Sequence, residues 1–169
     1  RKLYRVPVDF DCRADLPIPP YILGLLLGDG CIIDGVSLTS ADDELGDVFI
    51  QYAESVGCTV RVSENDHNVP SYHLIREAGT SNPVLEALTA LGLRGHRSVS
   101  KFIPPMYLTA SRELRLQLLA GLCDTDGYIC CGGVEYVSLS RELASDVSFL
   151  ARSLGFRVAL VEKYSSCQT

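Results

Sequence analysis

Two aspartates occupy equivalent places in two similar segments of the chain. Residues 22–30 are I-L-G-L-L-L-G-D-G and residues 119–127 are L-A-G-L-C-D-T-D-G, so Asp29 and Asp126 lie 97 positions apart. Each segment predicts an apolar helix that ends at Asp-Gly. Because residues four apart share one face of a helix, the small residues of each segment form a stripe. The helix-interface residues predicted in this way are Gly24, Gly28, Gly121 and Thr125.

Carboxylates at the ends of two paired helices can bind metal ions. Stripes of small residues let two helix backbones approach closely, and pairing about a pseudo-twofold axis would bring Asp29 and Asp126 side by side. Adjacent carboxylates repel each other unless they share a proton or bind cations. Such oxygen ligands suit Mg²⁺, and paired metal sites stabilise the attacking and leaving oxygens of a phosphodiester. The alternative role for Asp29 is a capping residue before Gly30, but its repetition at Asp126 argues against that role.

The repeat extends beyond these motifs. Glu44-Leu45 corresponds to Glu142-Leu143 at an offset of 98, and residues 36–39 (V-S-L-T) match residues 137–140 (V-S-L-S) at an offset of 101. Each copy predicts helix–strand–strand–helix–strand, which is typical of a duplicated pseudo-twofold domain. The first copy continues through a strand at 71–77, whose outward face the sequence leaves open, and a helix at 83–92.

Charge is distributed unevenly along the chain. The 169 residues carry a formal net charge of −6, which argues against a nucleic-acid partner. Residues 91–115 nevertheless hold five basic residues and one acidic residue, which favours such a partner. From charge alone, a solvated surface is the favoured explanation of this basic cluster.

Several other classes of protein are disfavoured. No apolar stretch approaches the roughly 20 residues of a membrane span, and no signal peptide precedes residue 15, so no membrane partner is expected. The glycines do not form G-x-G-x-x-G, so no nucleotide cofactor is expected. The seven cysteines contain no C-x-x-C pair, which disfavours a zinc site or a disulfide framework and indicates a reducing compartment. The chain does not begin with Met, which suggests a piece of a longer protein.

Four blocks of the chain resemble one known family. The segments 22–30 and 119–127 are similar to the two LAGLIDADG motifs of intein-encoded homing endonucleases. Residues 15–30 (D-L-P-I-P-P-Y-I-L-G-L-L-L-G-D-G) resemble the endonuclease entry of inteins, particularly those in replicative DNA helicases. Residues 101–108 (K-F-I-P-P-M-Y-L) resemble the lysine-bearing block between the motifs, and residues 147–156 resemble the block after the second motif.

The resemblance implies an α+β fold made of duplicated αββαββα repeats. Saddle-shaped antiparallel sheets and a pseudo-twofold axis belong to this fold. The expected domains are a lead-in segment at 1–17, a first subdomain with its linker at 18–110, and a second subdomain at 111–169. The second subdomain is expected to be truncated, because it lacks counterparts of strand 71–77 and helix 83–92.

The resemblance also implies an enzyme, a site-specific endonuclease that cuts double-stranded DNA and leaves 3′ overhangs. Asp29 and Asp126 would bind Mg²⁺, for which Mn²⁺ can substitute, helped by the backbone carbonyls of Gly28 and Thr125. Lys101 would position or activate the attacking water, or stabilise the charged transition state. The implied partners are the DNA target and a flanking intein splicing domain. The chain itself lacks the splicing nucleophiles, and a prokaryotic cytoplasm is the implied compartment.

Outward polar positions of the sheets would contact base edges in the major groove. The DNA-binding residues predicted are Ser37, Thr39, Thr59, Arg61, Ser63, Arg94, Arg97, Tyr136, Ser138, Ser140 and Arg157. The alternative function is a catalytically decayed LAGLIDADG domain that acts only as a DNA- or RNA-binding, maturase-like module.

Overall fold

A computed structural model describes residues 6–10, 15–64, 68–76, 80–130 and 132–163. Parts of the predicted lead-in (1–5 and 11–14) and the last residues of the second subdomain (164–169) lie outside these ranges. The described residues form six helices and six strands, with every strand pair antiparallel. The α+β class predicted from the sequence is therefore confirmed. No helix in the described ranges is long and apolar enough to span a membrane.

Two helices carry the repeated motifs. Helix α1 (Pro20–Leu27) begins with a proline, whose fixed φ suits a first helical position. Helix α5 (Arg112–Asp126) begins after Ser111, whose hydroxyl accepts a hydrogen bond from the backbone N–H of Leu114 at 3.4 Å. The two helices share one core, which contains Leu23 and Leu26 of α1 together with Leu118 and Leu122 of α5.

The first half of the chain builds one sheet. Its strands β1 (Gly30–Cys31), β2 (Val36–Thr39), β3 (Thr59–Glu64) and β4 (Pro70–Ile75) lie in the order β1-β2-β4-β3 among the described residues. Tyr72 pairs with Leu38 and Val62, and the side chains of Tyr72 and Leu74 are buried. Because side chains alternate along a strand, His73 and Ile75 lie on the opposite face. The structure therefore decides which face of β4 points away from the core, a choice that the sequence left open.

The remaining helices cover or connect these sheets. Helix α2 (Asp43–Ser55) begins after Asp42, whose carboxylate accepts from the Glu44 backbone N–H at 2.9 Å. Helix α3 (Pro83–Ala90) confirms the helix predicted at 83–92. A short helix, α4 (Pro105–Leu108), follows the Lys101 block, and α6 (Arg141–Ser153) begins after Ser140.

The second half has a smaller sheet than predicted. It contains β5 (Gly127–Cys130) and β6 (Gly133–Tyr136), and residues 156–163 form no strand, although the sequence predicts one there. In the first half, β4 lies between β2 and β3 and hydrogen-bonds to both. The described part of the second half offers no strand in the place of β4, so residues 156–163 have no ladder to join.

The second strand of each copy is related by an offset of 98 residues. The offset of 101 predicted for β2 is wrong. Leu38 pairs with Gly30, and Tyr136 pairs with Gly127 in the same way. The backbone N–H of Thr39 donates to Asp29 O at 3.4 Å, as that of Val137 donates to Asp126 O at 3.3 Å. Strand β2 therefore corresponds to residues 134–137.

The lead-in segment lies against the second half. The guanidinium of Arg115 on α5 is fully buried and donates to the Val8 carbonyl, to the Ser153 hydroxyl and, at 2.9 Å, to the Ala110 carbonyl. The Phe10 ring centre lies 4.8 Å from this guanidinium. The Val8 N–H also donates to Ser153 O at 2.8 Å, so Arg115 ties the segment before α1 to both α5 and α6.

We expect Gly121→Ala to destabilise the fold by about 2–4 kcal/mol, because overpacking a tight backbone contact strains both partners. A Cβ at Gly121 would lie 2.2 Å from the Tyr21 carbonyl oxygen of α1. Chemical denaturation followed by circular dichroism measures the change. Gly35→Ala is the control, since a Cβ at Gly35 meets nothing within 4 Å. Equal stability of the two variants would contradict the close helix contact.

Candidate metal and nucleic-acid site

The glycine stripes bring the ends of α1 and α5 together. A Cβ at Gly24 would lie 2.7 to 2.9 Å from backbone atoms of α5, so the two helices touch through their backbones. One turn further on, a Cβ at Gly28 would lie 3.2 Å from Asp126 Oδ2. The Asp126 carboxylate therefore lies against the residue that precedes Asp29. Gly24, Gly28, Gly121 and Thr125 all lie at this contact between the two helices.

The two carboxyl groups oppose each other's ionisation. Burial raises the pKa of Asp29, and the Lys101 ammonium partly offsets this. Burial also raises the pKa of Asp126 to about 6, with the Asp29 charge as the second cause and Lys101 opposing both. Two carboxylates held close together in partial burial are stabilised by a bound cation.

The donor set fits a hard divalent cation. Among the described residues, no third His, Cys, Asp or Glu joins Asp29 and Asp126 in a cluster. Mg²⁺ is commonly held by one or two carboxylates, with water and substrate phosphates as its other ligands. The two carboxylates of Asp29 and Asp126 are therefore enough to hold such an ion, and the protein does not have to supply all of its ligands.

Lys101 is buried beneath the same helix end. Its side chain is 2% exposed, and Nζ donates to the carbonyls of Leu26 at 2.9 Å, Gly28 at 3.0 Å and Gly30 at 2.7 Å. An ammonium has three donors, so these carbonyls occupy all of them. Burial lowers the pKa of Lys101 to about 8, although Asp126 and Asp29 favour the charged form. The geometry is that of a residue that fixes the chain on both sides of Asp29.

The other predicted ligand positions lie at the same contact. The Gly28 carbonyl already accepts from Lys101, which uses one of the two lone pairs on its oxygen. The Thr125 hydroxyl donates back to its own helix, at 3.2 Å to Gly121 O and 3.0 Å to Leu122 O. Metal binding by the carbonyls of Gly28 and Thr125 stays a prediction.

The predicted DNA-binding residues of the first sheet all lie on one of its faces. Ser37 pairs with His73, which in turn pairs with Arg61 on the next strand. Thr39 and Ser63 both pair with Ser71, and the Thr39 and Ser71 hydroxyls are 2.9 Å apart. Thr59 shares this face by its alternation with Arg61.

Ser71 and His73 belong to the same polar face, although the sequence did not assign them to it. The His73 Nε2 atom lies 2.9 Å from the Ser63 hydroxyl. Strand β4 carries polar and apolar residues on both of its faces, so alternation alone could not choose between them. The register against β2 and β3 makes the choice.

Three residues predicted to contact DNA in the second half are placed elsewhere. The hydroxyl of Tyr136 is buried, because Tyr136 occupies the position of the core residue Leu38. Ser138 lies in the turn before α6, where its hydroxyl accepts from Ser140 N at 3.1 Å. Ser140 is 1% exposed and caps α6, so it offers no surface to a base. At the offset of 98, Glu135 and Val137 take the positions of Ser37 and Thr39.

Tyr136 instead lies near the carboxylates. Burial raises the pKa of its phenol, and the charges of Asp126 and Asp29 add to the effect. The sequence carried a signal for this position, since residues 134–136 align with residues 36–38 once the offset is kept at 98.

The predicted basic residues do not form one patch. Arg97 lines an open cleft with Cys31, His96 and Lys101. Arg94 lines a different cleft against α3. Arg157 is exposed in the segment after α6. Arg97 is therefore the predicted arginine that shares a cleft with Lys101.

Comparisons with known proteins support the same family. Residues 113–169 match the LAGLIDADG-like domain model. The chain is 34% identical to replicative DNA helicase DnaB of Mycobacterium intracellulare over 149 residues, which are 85% of this chain and 21% of that protein. It is 32% identical to DnaB of Nostoc sp. over 154 residues, 82% of this chain and 18% of that protein. It is also 38% identical to the ATP-dependent DNA helicase Hel308 of Thermococcus kodakarensis over 69 residues, 37% of this chain and 6% of that protein.

The chain thus spans about a fifth of the length of the DnaB proteins that it matches. The family match covers α5, which carries Asp126, together with the hairpin and helix that follow it. The chain therefore carries a LAGLIDADG-like domain at residues 113–169, and the first motif packs against this segment through Gly24 and Gly28.

Proposed function

We propose that this chain is a site-specific endonuclease that hydrolyses phosphodiester bonds of double-stranded DNA. The observation that carries the proposal is the pair of mutually repelling carboxylates, Asp29 and Asp126, at the ends of two helices in backbone contact. These residues would hold Mg²⁺, for which Mn²⁺ can substitute. A bound divalent cation would supply charge stabilisation for the phosphate oxygens during hydrolysis.

The protein groups have distinct tasks in this proposal. Asp29 and Asp126 bind the cation, and Lys101 holds the carbonyls around Asp29 so that both carboxylates keep their orientation. The polar face of the first sheet contacts the DNA through Ser37, Arg61 and neighbouring hydroxyls. Side chains on such a face can contact base edges in the major groove.

The similarity to DnaB proteins supports a place inside a replicative helicase gene. We propose that the chain is part of an intein whose splicing domain flanks it in the full protein. The free thiols of Cys31, Cys58 and Cys123 suit a reducing compartment, so the prokaryotic cytoplasm is the proposed location.

A second candidate function is nucleic-acid binding without cleavage. Among the described residues the second half presents two strands, against four in the first, so a duplex would meet one complete polar face. The formal net charge of −6 also weakens attraction to phosphates. Binding of DNA with no cut in the presence of Mg²⁺ is the result that would favour this function.

The nuclease proposal predicts that Asp29→Asn and Asp126→Asn each lower cleavage by at least about 100-fold, since each removes a charged metal ligand. The assay uses Mg²⁺ and overlapping duplexes that cover the matching helicase gene without its insertion. Asp34→Asn is the matched control, because Asp34 is an exposed aspartate of the β1–β2 turn. Undiminished cutting by both site variants would contradict the assigned metal ligands.

The raised pKa of Asp126 predicts a pH-dependent stability. The folded state holds this proton up to about pH 6, whereas the unfolded carboxyl releases it near pH 4. The unfolding free energy should therefore fall as the pH rises from about 4 to 6. Asp126→Asn removes the partly buried charge and its repulsion with Asp29, and should be more stable than the parent by roughly 1 kcal/mol at pH 7.5, after discounting for solvent screening.

Thermal unfolding at several pH values measures this difference. The increase in unfolding free energy from Asp126→Asn should vanish below about pH 4, where the carboxyl of the unfolded parent is also protonated. Added Mg²⁺ should raise the Tm of the parent but not that of the variant. A variant less stable than the parent at pH 7.5 would argue against carboxylate repulsion.

A further inference from the structure

We propose that Ser140, together with Asp146, is a positioning residue that holds Lys101 in place from the second half of the chain. The inference rests on the proposed function, because Lys101 matters to cleavage only if Asp29 binds the metal. It reassigns Ser140, which the sequence suggested as a DNA contact, to the support of the catalytic end of α1.

Ser140 makes two hydrogen bonds with one hydroxyl. Its Oγ donates to the Lys101 carbonyl at 2.6 Å and accepts from the Leu143 backbone N–H at 3.1 Å. The side chain is 1% exposed, so water does not replace either partner. The hydroxyl therefore joins the first turn of α6 directly to the backbone of Lys101.

Asp146 holds the same segment one and a half turns further along α6. Its Oδ2 accepts from the Ile103 backbone N–H at 2.9 Å. The backbone from Lys101 to Ile103 is thus fixed at both ends by one helix. At the other end of the Lys101 side chain, Nζ is bonded to the three carbonyls around Asp29.

The internal repeat provides a comparison for Ser140. At the offset of 98 its counterpart is Asp42, which caps α2 by accepting from Glu44 N at 2.9 Å. The turns before them match, because Ser40 Oγ accepts from Asp42 N and Ser138 Oγ accepts from Ser140 N, each at 3.1 Å. Asp and Ser cap helices about equally well. An ionised carboxylate cannot donate, so the serine is required for the bond to Lys101 and not for the cap.

The position of Asp29 therefore depends on the second half of the chain in two ways. One dependence is the opposing Asp126 carboxylate, and the other runs from α6 through Ser140 and the Lys101 backbone to the carbonyls beside Asp29. Loss of the Ser140 donor should therefore disturb Lys101 even when both carboxylates and the helix contact are retained.

The variants separate the two bonds of Ser140. Ser140→Asp keeps the cap acceptor and loses the donor to Lys101, whereas Ser140→Thr keeps both. Asp146→Ala removes the second support independently, should Ser140→Asp fold poorly. Asp42→Ala is the matched control, since it removes a helix cap whose carboxylate accepts from Glu44 N on α2.

The primary measurement does not require cleavage. The chain has three lysines, so nitrogen-15 NMR can follow the slowly exchanging Lys101 ammonium, assigned with Lys101→Arg. We expect Ser140→Asp and Asp146→Ala to lose this protected signal, and Ser140→Thr and Asp42→Ala to keep it. A protected Lys101 signal in folded Ser140→Asp would overturn the proposal.

The second measurement is single-turnover cleavage beside DNA affinity. Ser140→Asp should cut about 10-fold or more slowly, the size typical of supports behind metal ligands, with a DNA Kd within twofold of the parent and of Asp42→Ala. An unchanged cleavage rate would overturn the positioning role. If the parent cuts no DNA, the nuclease proposal fails, and the NMR result alone decides whether Ser140 holds Lys101.

Discussion

The backbone contact between α1 and α5 is the constraint on which the rest of this structure depends. Gly24 and Gly121 have no side chain at the point where an added Cβ would lie within 3 Å of the neighbouring helix. The parallel approach brings the two Asp-Gly ends to one place and buries the leucines of both helices in one core. Any larger residue at these positions would separate the halves and, with them, the carboxylates. The requirements of packing and of chemistry therefore coincide in the same residues.

The electrostatics of the site follow from that packing. Asp29 and Asp126 are brought together in partial burial, which disfavours their charged forms, and Lys101 compensates only in part. The Lys101 ammonium is itself desolvated and is held by backbone carbonyls instead of by carboxylate oxygens. The repulsion between two partly buried carboxylates lowers the stability of the fold and favours the binding of a cation. Perturbed groups of this kind are typical of functional sites.

The two halves are unequal around this centre. The first sheet has four strands among its described residues, and one of its faces is largely polar. In the second half, Ile129 is 86% exposed and Leu139 is 75% exposed, while α6 bonds to the Lys101 segment through Asp146 and its cap Ser140. The lead-in also packs on this half through Arg115. In the proposed site the second half supplies Asp126 and supports Lys101, and the first half supplies Asp29 and the polar surface.

Local signals in the sequence predicted most of the elements and the central residues of the candidate site. The spacing of small residues predicted the helix interface, the repeated Asp-Gly predicted the carboxylate pair, and alternation predicted the polar face of β2 and β3. These features depend on neighbours within a few residues, so periodicity is enough to find them. The Lys101 block came from the family resemblance, while the three carbonyl partners of Lys101 became visible only in the fold.

Tertiary structure alone decided the register of the second hairpin. A match of four letters placed residues 137–140 against β2 at an offset of 101, whereas strand pairing fixes the offset at 98. The difference is an odd number, and an odd shift moves each side chain of a strand to the opposite face. Tyr136 therefore faces the carboxylates, and Ser140 caps α6 beside Lys101. Hydrogen bonds between distant segments make that choice, and no pattern within a single strand contains it.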